Sequence, residues 1–503
     1  SSTSYARTFR NYEENPATVK NIPGYDSKPG KHLEDWPLVR AIYKESAKQM
    51  ENIVSLGVPM VLVPANGAYD TVPSWRPKGS EHTHGGAIVL DALAPIAKKM
   101  GIRAVESCSI ISLLRDEDRV TGASGLLHDG SWLTIYAKAV ILATGGAAGI
   151  NKVTSTSKEI AGNGYAMALK AGLRLKNMEF NSFYAVGLPT PTGRYVHCAP
   201  VTLMMKNALL RNDNGEDIVK KHLKISLQEA VPPISTRFDW LPRAVSAALE
   251  EGKVWLDLTD VPAEEWDRLP ERNWKQIRQT QVDMKKTPLP ILPLSQSFRG
   301  GLAVDTGMRA SLKGLYAAGE AASSWLAELG ISALPSCLTM GAIAGRNAAA
   351  DMQGVKAPSQ KAKDEGLQQA QAMLGKTGKA RPEEVGEEIR RIIHQHASPI
   401  KKKSSLEEGL KALERLERQS SEMNCQSRQE LRDALEAKAM FLTGKAMLRS
   451  ALLRTESRGG FYRSDFPNRD DKNWLRPVLA CYEPKSGEVK VERGEICQPV
   501  AGI

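Results

Sequence analysis

The stretch GLYAAGE, residues 314–320, places a glycine and a carboxylate directly after a short apolar strand. A glycine at that position lets a ligand approach the main chain, and the Glu320 carboxylate can accept hydrogen bonds from hydroxyl groups. The stretch ILATGG, residues 141–146, repeats this pattern of an apolar strand followed by a glycine-rich turn. Ligands of α/β sheets bind beyond the carboxyl ends of the strands. Two such ends favour one large ligand, and the alternative is a pair of ordinary strand ends.

A third stretch, Pro335-Ser336-Cys337-Leu338, opens a predicted helix. The free N–H groups and the positive end of a helix suit an electron-rich heterocycle that gains negative charge on reduction. The apolar strand over residues 139–143 has no polar position, which predicts burial on both faces, as in a parallel sheet.

The composition limits the class of protein. A chain of 503 residues is expected to form two to four domains, and 42% hydrophobic and 25% charged residues are typical of globular proteins. No apolar run reaches the roughly 20 residues of a membrane span and no signal peptide is visible, so we expect a cytoplasmic chain without direct membrane insertion. The formal net charge of +11 is spread along the sequence apart from short runs such as Lys401–Lys403. This distribution favours a small anionic substrate or a protein partner over nucleic acid.

The six cysteines are scattered, and no pair has C-x-x-C spacing. Scattered cysteines indicate a reducing compartment and argue against an iron–sulfur cluster or a zinc site within this chain. His82 and His84 stand two residues apart, but no carboxylate or cysteine follows at ligand spacing, so we predict no metal site.

The motifs occur in the order of a known family over nearly the whole chain. They are SSTSYA (1–6), HTHGG (82–86), ILATGG (141–146), GNGYAMALKAG (162–172), MEFNSF (178–183), GGLAVD (300–305), GLYAAGE (314–320), SCLTMGAIAGRNAA (336–349) and RTESRGGFYRSDFPNRDDKNW (454–474). On these motifs the chain resembles the succinate dehydrogenase/fumarate reductase flavoprotein family, including its L-aspartate oxidase branch.

The resemblance implies an α/β fold. Its parts would be a doubly wound, glutathione-reductase-like sheet that binds FAD, an inserted capping domain and a C-terminal helical domain. The expected boundaries are 1–186 and 294–352 for the two parts of the FAD-binding domain, 187–293 for the capping and substrate domain, 353–400 for a linker with some helix, and 401–503 for the helical domain and tail.

The resemblance also implies which residues bind FAD. Glu320 would hold the ribityl hydroxyls, Ser336 to Leu338 would lie by the pyrimidine ring, and Ser2, Thr3 and Ser4 would line the phosphate and ring side. The full set expected to bind the cofactor is Ser2, Thr3, Ser4, Thr83, Gly85, Gly86, Ala143, Thr144, Gly145, Asn163, Gly319, Glu320, Ser336, Cys337 and Leu338.

Two departures from the family concern the cofactor. Covalent members join a histidine to the flavin where this chain has Ser2, so we expect non-covalent FAD. The family opens with a G-x-G-x-x-G phosphate loop, and that motif does not occur in the sequence. We therefore expect a segment carrying the loop to precede Ser1, and the alternative is that the adenine half of FAD is held by something else.

Two further departures concern the substrate. Gln296 and Glu328 occupy approximately the places of the family's substrate-binding histidine and arginine. A glutamate repels carboxylates where an arginine would bind them bidentately. These changes argue against a simple C4 dicarboxylate as substrate.

The family's proton-carrying arginine is matched by Arg243, in LPRAVSAAL. An arginine needs a buried site with its own relay to act as a proton donor. Arg299 is a second catalytic candidate. The alternatives are a helix-start arginine in a surface pair for Arg243 and a structural ion pair for Arg299. The charged motif over 454–474 is predicted to be an ion-pair network that docks the helical domain.

These observations favour an FAD-dependent oxidoreductase that transfers two electrons between flavin and a carbon–carbon bond of an anionic substrate. One alternative is a relay subunit that passes electrons to an iron–sulfur partner and has lost its organic-substrate site. Another is an enzyme similar to adenylylsulfate reductase, with a non-carbon substrate. Membrane association is expected only through a partner.

Overall fold

The computed structural model describes residues 9–10, 33–64, 74–79, 85–231, 240–323, 334–358 and 364–495. The helices are α1 Trp36–Ser55, α2 Gly85–Lys99, α3 Asn163–Lys170, α4 Pro200–Leu203, α5 Ile218–Leu223, α6 Leu227–Ala230, α7 Trp240–Leu249, α8 Ala263–Asp267, α9 Glu271–Arg278, α10 Leu334–Asp351, α11 Glu365–Met373, α12 Pro382–His396, α13 Lys403–Gln419, α14 Arg428–Leu453 and α15 Asp471–Trp474.

The strands alternate with these helices along most of the chain. They are β1 Phe9–Arg10, β2 Met60–Val63, β3 Ser74–Pro77, β4 Cys108–Asp116, β5 Arg119–Leu127, β6 Trp132–Tyr136, β7 Val140–Leu142, β8 Leu175–Lys176, β9 Asn181–Pro189, β10 Tyr195–His197, β11 Leu209–Asn212, β12 Val254–Asp257, β13 Leu289–Pro290, β14 Leu292–Phe298, β15 Gly301–Leu302, β16 Leu315–Ala317, β17 Ile400–Lys401, β18 Tyr462–Arg463, β19 Val478–Glu483 and β20 Glu488–Arg493.

The two motif strands are hydrogen-bonded neighbours. Strands β7 and β16 run parallel, with Val140 opposite Leu315 and Leu142 opposite Ala317. The expected burial of β7 on both faces is wrong, because Ile141 is 39% exposed. Within the described residues β7 pairs with β16 alone, so one edge of the strand has no hydrogen-bonded neighbour.

Strands β4, β5 and β6 form an antiparallel sheet. The first turn follows Asp116, which pairs with Arg119, and Glu117 adopts a left-handed φ of 50° there. The second turn contains Gly130 at φ 82°, a conformation that glycine adopts without steric cost. This sheet leads directly into β7 and so sets the direction in which the first motif strand arrives.

The central part of the chain has a hydrophobic core of its own. Apolar residues between Ala185 and Ile291 form one cluster, which contains Leu210, Val245 and Leu256. Helix α7 packs in this region against β9 and β14, the strands that lead back toward the second motif strand.

Helices α12, α13 and α14 pack together as the C-terminal helical region. The segment 353–400, expected to be a linker with some helix, contributes α12 to this bundle. Val385, Ile389 and Ile393 lie on its buried face at helical spacing. A capping box between Ser427 and Glu430 begins α14. The α/β fold with a helical C-terminal region is therefore confirmed.

The chain after α14 returns to the body of the molecule. Strand β19 pairs with β8, with Ala480 opposite Leu175, and the sheet has the order β15-β8-β19-β20. In the part of the chain that the structure describes, the helices are all too short or too polar to cross a membrane.

The predicted ion-pair network in the tail is confirmed. The Arg454 guanidinium lies 2.6 Å from Glu179 Oε1 and 2.8 Å from Glu456 Oε1, and all three side chains are fully buried. Arg458 donates to the same Glu456 oxygen at 2.7 Å. Burial raises the pKa of the Glu179 carboxyl, and the positive charge of Arg454 opposes that shift.

Replacing Arg454 by methionine would leave Glu179 without its buried partner and Glu456 with one cation fewer. We expect Arg454→Met to lower the free energy of unfolding by about 3–5 kcal/mol, because an uncompensated buried charge is costly. Chemical denaturation followed by circular dichroism measures the change. Arg381→Met is the matched control, since its pair with Glu384 is 69% and 66% exposed, and we expect a loss of less than about 1 kcal/mol there. Equal losses in the two variants would contradict the prediction.

Candidate functional site

The two motif strands end side by side, and glycines fill the space between them. Gly145 follows β7 at φ 73°, and Gly319 follows β16 at φ 67°. A Cβ atom on Gly146 would overlap the carboxyl of Glu320. The two turns therefore approach each other so closely that Gly146 leaves no room for a side chain.

Glu320 is held in place by hydrogen bonds from Phe298 and Tyr165. The backbone N–H of Phe298 donates to Glu320 Oε1 at 2.7 Å, and the Tyr165 hydroxyl donates to the Glu320 carbonyl at the same distance. Burial raises the pKa of the Glu320 carboxyl to about 7, and the bond from Phe298 opposes this shift. The carboxylate keeps further acceptor capacity for hydroxyl groups of a ligand.

The start of α10 lies against the same turn. A Cβ atom on Gly319 would lie 3.5 Å from Cys337 Sγ, and Ser336 is buried. Burial, followed by the negative charge of Glu320, raises the pKa of the Cys337 thiol to about 11. Leu338 packs against the cluster that contains Met50 and Val89, so α10 is fixed to α1 and α2.

A cleft of about 540 Å³ begins at the end of β7. Thr144, Gly146 and Asn163 line one side, and Arg432 and Glu436 of α14 line another. The Asn163 Oδ1 atom is buried and has no hydrogen-bond partner among the described residues. A buried acceptor without a partner is rare in native proteins, so Asn163 is suited to receive a hydrogen bond from a ligand.

The structure brings most of the described candidates together. Ala143, Thr144, Gly145 and Asn163 lie at or near the end of β7, and Gly319, Glu320, Ser336 and Cys337 surround the end of β16. Gly85 and Gly86 begin α2 and are buried. Ser2, Thr3, Ser4, Thr83, His82, His84 and Glu328 lie outside the described residues.

Arg243 is half-buried on α7 and makes two contacts with the tail. Its Nη2 donates to the Gly459 carbonyl, and its guanidinium carbon lies 4.7 Å from the centre of the Tyr462 ring. This position differs from a simple surface pair, the alternative considered for a helix-start arginine.

Arg299 follows the residue whose N–H binds Glu320. Its side chain is buried, and Nε donates to Ser182 Oγ in β9 at 2.7 Å. The backbone N–H of Arg299 donates to the Phe180 carbonyl at 2.9 Å. Arg299 is thus fixed beside the turn that carries Glu320.

The sequence prediction missed one buried cation near Arg243. Lys401 is only 1% exposed, and burial lowers the pKa of its amine to about 7. The only sequence signal was the run Lys401–Lys403, which reads as a solvated basic stretch. Among the described residues, no group of three histidine, cysteine or carboxylate side chains is arranged to hold a metal ion.

Two family descriptions match this chain. The family described as "FAD binding domain" matches residues 26–330, and the one described as "Fumarate reductase flavoprotein C-term" matches residues 386–501. The first match alone spans more than half of the sequence.

Curated relatives align with nearly the whole chain. An uncharacterised FAD-dependent oxidoreductase of Methanocaldococcus jannaschii is 27% identical over 90% of this chain and 85% of its own length. One subunit of the fumarate reductase (CoM/CoB) of Methanothermobacter marburgensis is 27% identical over 90% of this chain and 84% of its own length. The L-aspartate oxidase of Caulobacter vibrioides is 26% identical over 88% and 81% of the two chains.

Solved structures show the same fold at lower identity. A variant of the E. coli quinol fumarate reductase FrdA superposes with a TM-score of 0.86 at 19% identity, covering 100% of this chain and 91% of that one. The adenylylsulfate reductase of Archaeoglobus fulgidus gives a TM-score of 0.72 at 19% identity, covering 99% and 90%.

The raised pKa of Glu320 predicts a pH dependence of the flavin-free protein. The carboxyl titrates at about 7 in the folded chain and at about 4.3 when unfolded. Its contribution to stability is therefore greatest below about pH 4.3 and is lost as the pH rises through 7. We expect the melting temperature of Glu320→Gln relative to wild type to increase between pH 4.5 and 8.

Differential scanning fluorimetry across this pH range measures the difference. Glu384→Gln, at a site whose side chain is 66% exposed, serves as the control and should follow wild type at each pH. A constant offset between Glu320→Gln and wild type would show that Glu320 does not titrate in this range.

Proposed function

Because the chain belongs to the succinate dehydrogenase/fumarate reductase flavoprotein family and is an FAD-dependent oxidoreductase, we propose a specific form of that activity. The chain transfers two electrons between non-covalently held FAD and a small anionic substrate other than a simple C4 dicarboxylate. One observation carries the proposal: a buried cation, Arg299, directly follows Phe298, whose N–H binds the Glu320 carboxyl. A cation fixed there favours negative charge on the substrate.

The residues at the two strand ends fit FAD. FAD supplies two-electron transfer chemistry when it is bound. Glu320 would accept hydrogen bonds from ribityl hydroxyls, and the open acceptor of Asn163 would receive one further hydrogen bond from the cofactor. The N–H groups at the start of α10, near Ser336 and Cys337, would stabilise negative charge on a heterocycle.

The departures from the family support a different substrate from succinate or fumarate. Gln296 lies half-buried on β14, and the sequence resemblance matches it to a substrate-binding histidine of the family. A glutamine amide can donate to a carboxylate but carries no charge, so it binds a second carboxylate more weakly than a cation does. Arg243 and Arg299 remain as the proposed positive groups for the substrate.

Arg243 is the proposed proton carrier. Its guanidinium is held by the Gly459 carbonyl and by the face of Tyr462, so its orientation is fixed before a substrate arrives. Proton transfer by a positioned side chain contributes about 10²–10⁴-fold to a rate. Arg243 would give a proton to the substrate in reduction and take one in oxidation.

A second proposed function is electron relay. It is favoured by the same difference, Gln296 in place of the family's substrate-binding histidine. In this version the chain keeps FAD and relays electrons between a separate iron–sulfur protein and a second redox protein, without an organic substrate. One relative is named as a subunit of a fumarate reductase, which fits an electron-transferring complex. A protein of the same fold is named as an adenylylsulfate reductase, which fits a non-carbon substrate. A cytoplasmic chain that reaches a membrane only through such a partner fits either function.

The first test compares Arg243→Lys with wild type in stopped-flow reoxidation of the reduced flavin by a panel of anionic acceptors. We expect an unchanged flavin spectrum and a rate at least about 100-fold lower, because lysine cannot reproduce the guanidinium geometry. Succinate and fumarate should be poor substrates with either residue.

Arg268→Lys is the matched control, since this side chain of the same region is 77% exposed and should leave the rate unchanged. Rapid fumarate reduction by wild type would refute the substrate proposal. Electron transfer to a protein partner that persists in Arg243→Lys, with no active acceptor in the panel, would favour the relay function.

The second test concerns the attachment of FAD. Ser2 stands where covalent members have histidine, so acid precipitation should release all of the flavin into the supernatant. Absorbance at 450 nm of the pellet and the supernatant measures the partition. Yellow colour that remains in the washed pellet would contradict non-covalent binding.

A further inference from the structure

Lys401 is a buried lysine at the junction of the helical region and the tail. Strand β17 pairs in parallel with β18, which places Lys401 opposite Arg463 and Ile400 opposite Tyr462. The Lys401 amine donates to the Ser398 carbonyl at 2.9 Å. It also lies 5.5 Å from the centre of the Phe461 ring and 5.9 Å from that of Phe183.

The partners of Lys401 differ from those of the other fully buried lysine, Lys445. The Lys445 amine lies 2.5 Å from a carboxylate oxygen of Glu417. Among the residues that the structure describes, Lys401 has no carboxylate oxygen within the 4.0 Å of an ion pair. A cation buried without a carboxylate is costly, which favours its neutral form.

Three charged groups face Lys401. They are Arg243 on α7, Arg463 on β18 and Glu179 just before β9. Burial lowers the pKa of the Lys401 amine most, the positive charges of Arg243 and Arg463 lower it as well, and Glu179 acts in the opposite direction, so that the pKa is about 7. Glu179 is paired with the guanidinium of Arg454, and Arg463 is paired with the carboxylate of Asp465.

Arg243 and Lys401 belong to one packed unit. Helix α7 packs against β17, and the Arg243 guanidinium stacks on Tyr462 of β18, the strand paired with Lys401. A change of charge on either side chain therefore acts on the other through packed protein, where electrostatic interactions are stronger than in water.

We propose that Lys401 is a positioning residue for Arg243, a buried amine whose gain or loss of a proton controls how readily the neighbouring guanidinium gives up its own. A proton on Lys401 adds positive charge beside Arg243 and favours proton release from it. Release of a proton from Arg243 in turn favours protonation of Lys401, so the two side chains titrate as a coupled pair. The inference rests on the proposed role of Arg243 as proton carrier.

The test is a titration of the flavin-loaded full chain carrying lysine labelled with ¹³C at Cε. The Lys401 resonance is the one missing from Lys401→Arg, and we expect its midpoint near pH 7. In Arg243→Gln, which removes the neighbouring charge, the midpoint should rise by roughly one pH unit. Arg243→Lys, which keeps that charge, is the matched control and should leave the midpoint near the wild-type value.

Two results would overturn the proposal. One is a Lys401 resonance in wild type that titrates only above pH 9, a measurement that requires no Arg243 variant to fold. The other is the same midpoint in Arg243→Gln and wild type. Neither result decides the proposed function, which is tested separately. The proposed function fails if Arg243→Lys keeps its full rate of flavin reoxidation.

Discussion

One buried guanidinium joins the parts of the chain on which the site depends. Arg454 donates to Glu179 before β9, to Glu456 after α14, and to the carbonyls of Trp474 and Arg476 in the tail. Because a buried charge must be paired and hydrogen-bonded, these segments cannot separate without leaving a cation or a carboxylate uncompensated. The position of β9, of the tail and of the charged groups around Lys401 follows from this interaction.

The group proposed to bind the cofactor and a group proposed to bind the substrate are linked by one short segment. Phe298 binds Glu320 through its backbone, and the next residue, Arg299, binds Ser182 through its side chain. A shift of this segment would move the group proposed for the cofactor and the group proposed for the substrate together. Such coupling in position matters for electron transfer chemistry, because reacting groups must be held in a fixed geometry.

The sequence predicted the features that depend on local chain geometry. Gly145, Gly319 and Glu320 lie in strand–turn patterns of a few residues, and the two strands and glycine turns that these patterns predict are present. The α/β fold was implied by the family resemblance that the motifs carry, and it is confirmed. The exposure of Ile141 was not predicted, because it depends on which strand lies at each edge of β7. Lys401 was missed for a similar reason. Its burial is produced by Phe183, Phe461 and the packing of α7, which are distant in sequence. The helix Pro382–His396 lies in a polar stretch that was predicted to be a linker with some helix, although the apolar residues of this helix have helical spacing.

The pairing of β19 with β8 has a consequence for biosynthesis. Leu175 and Ala480 are neighbours in one sheet, although most of the chain separates them in sequence. A ribosome must therefore synthesise the whole intervening segment before β8 gains this partner. Contacts of such high sequence separation slow folding and leave apolar surface open to aggregation in the meantime. The nascent chain thus has a long interval in which this edge of β8 lacks its strand partner.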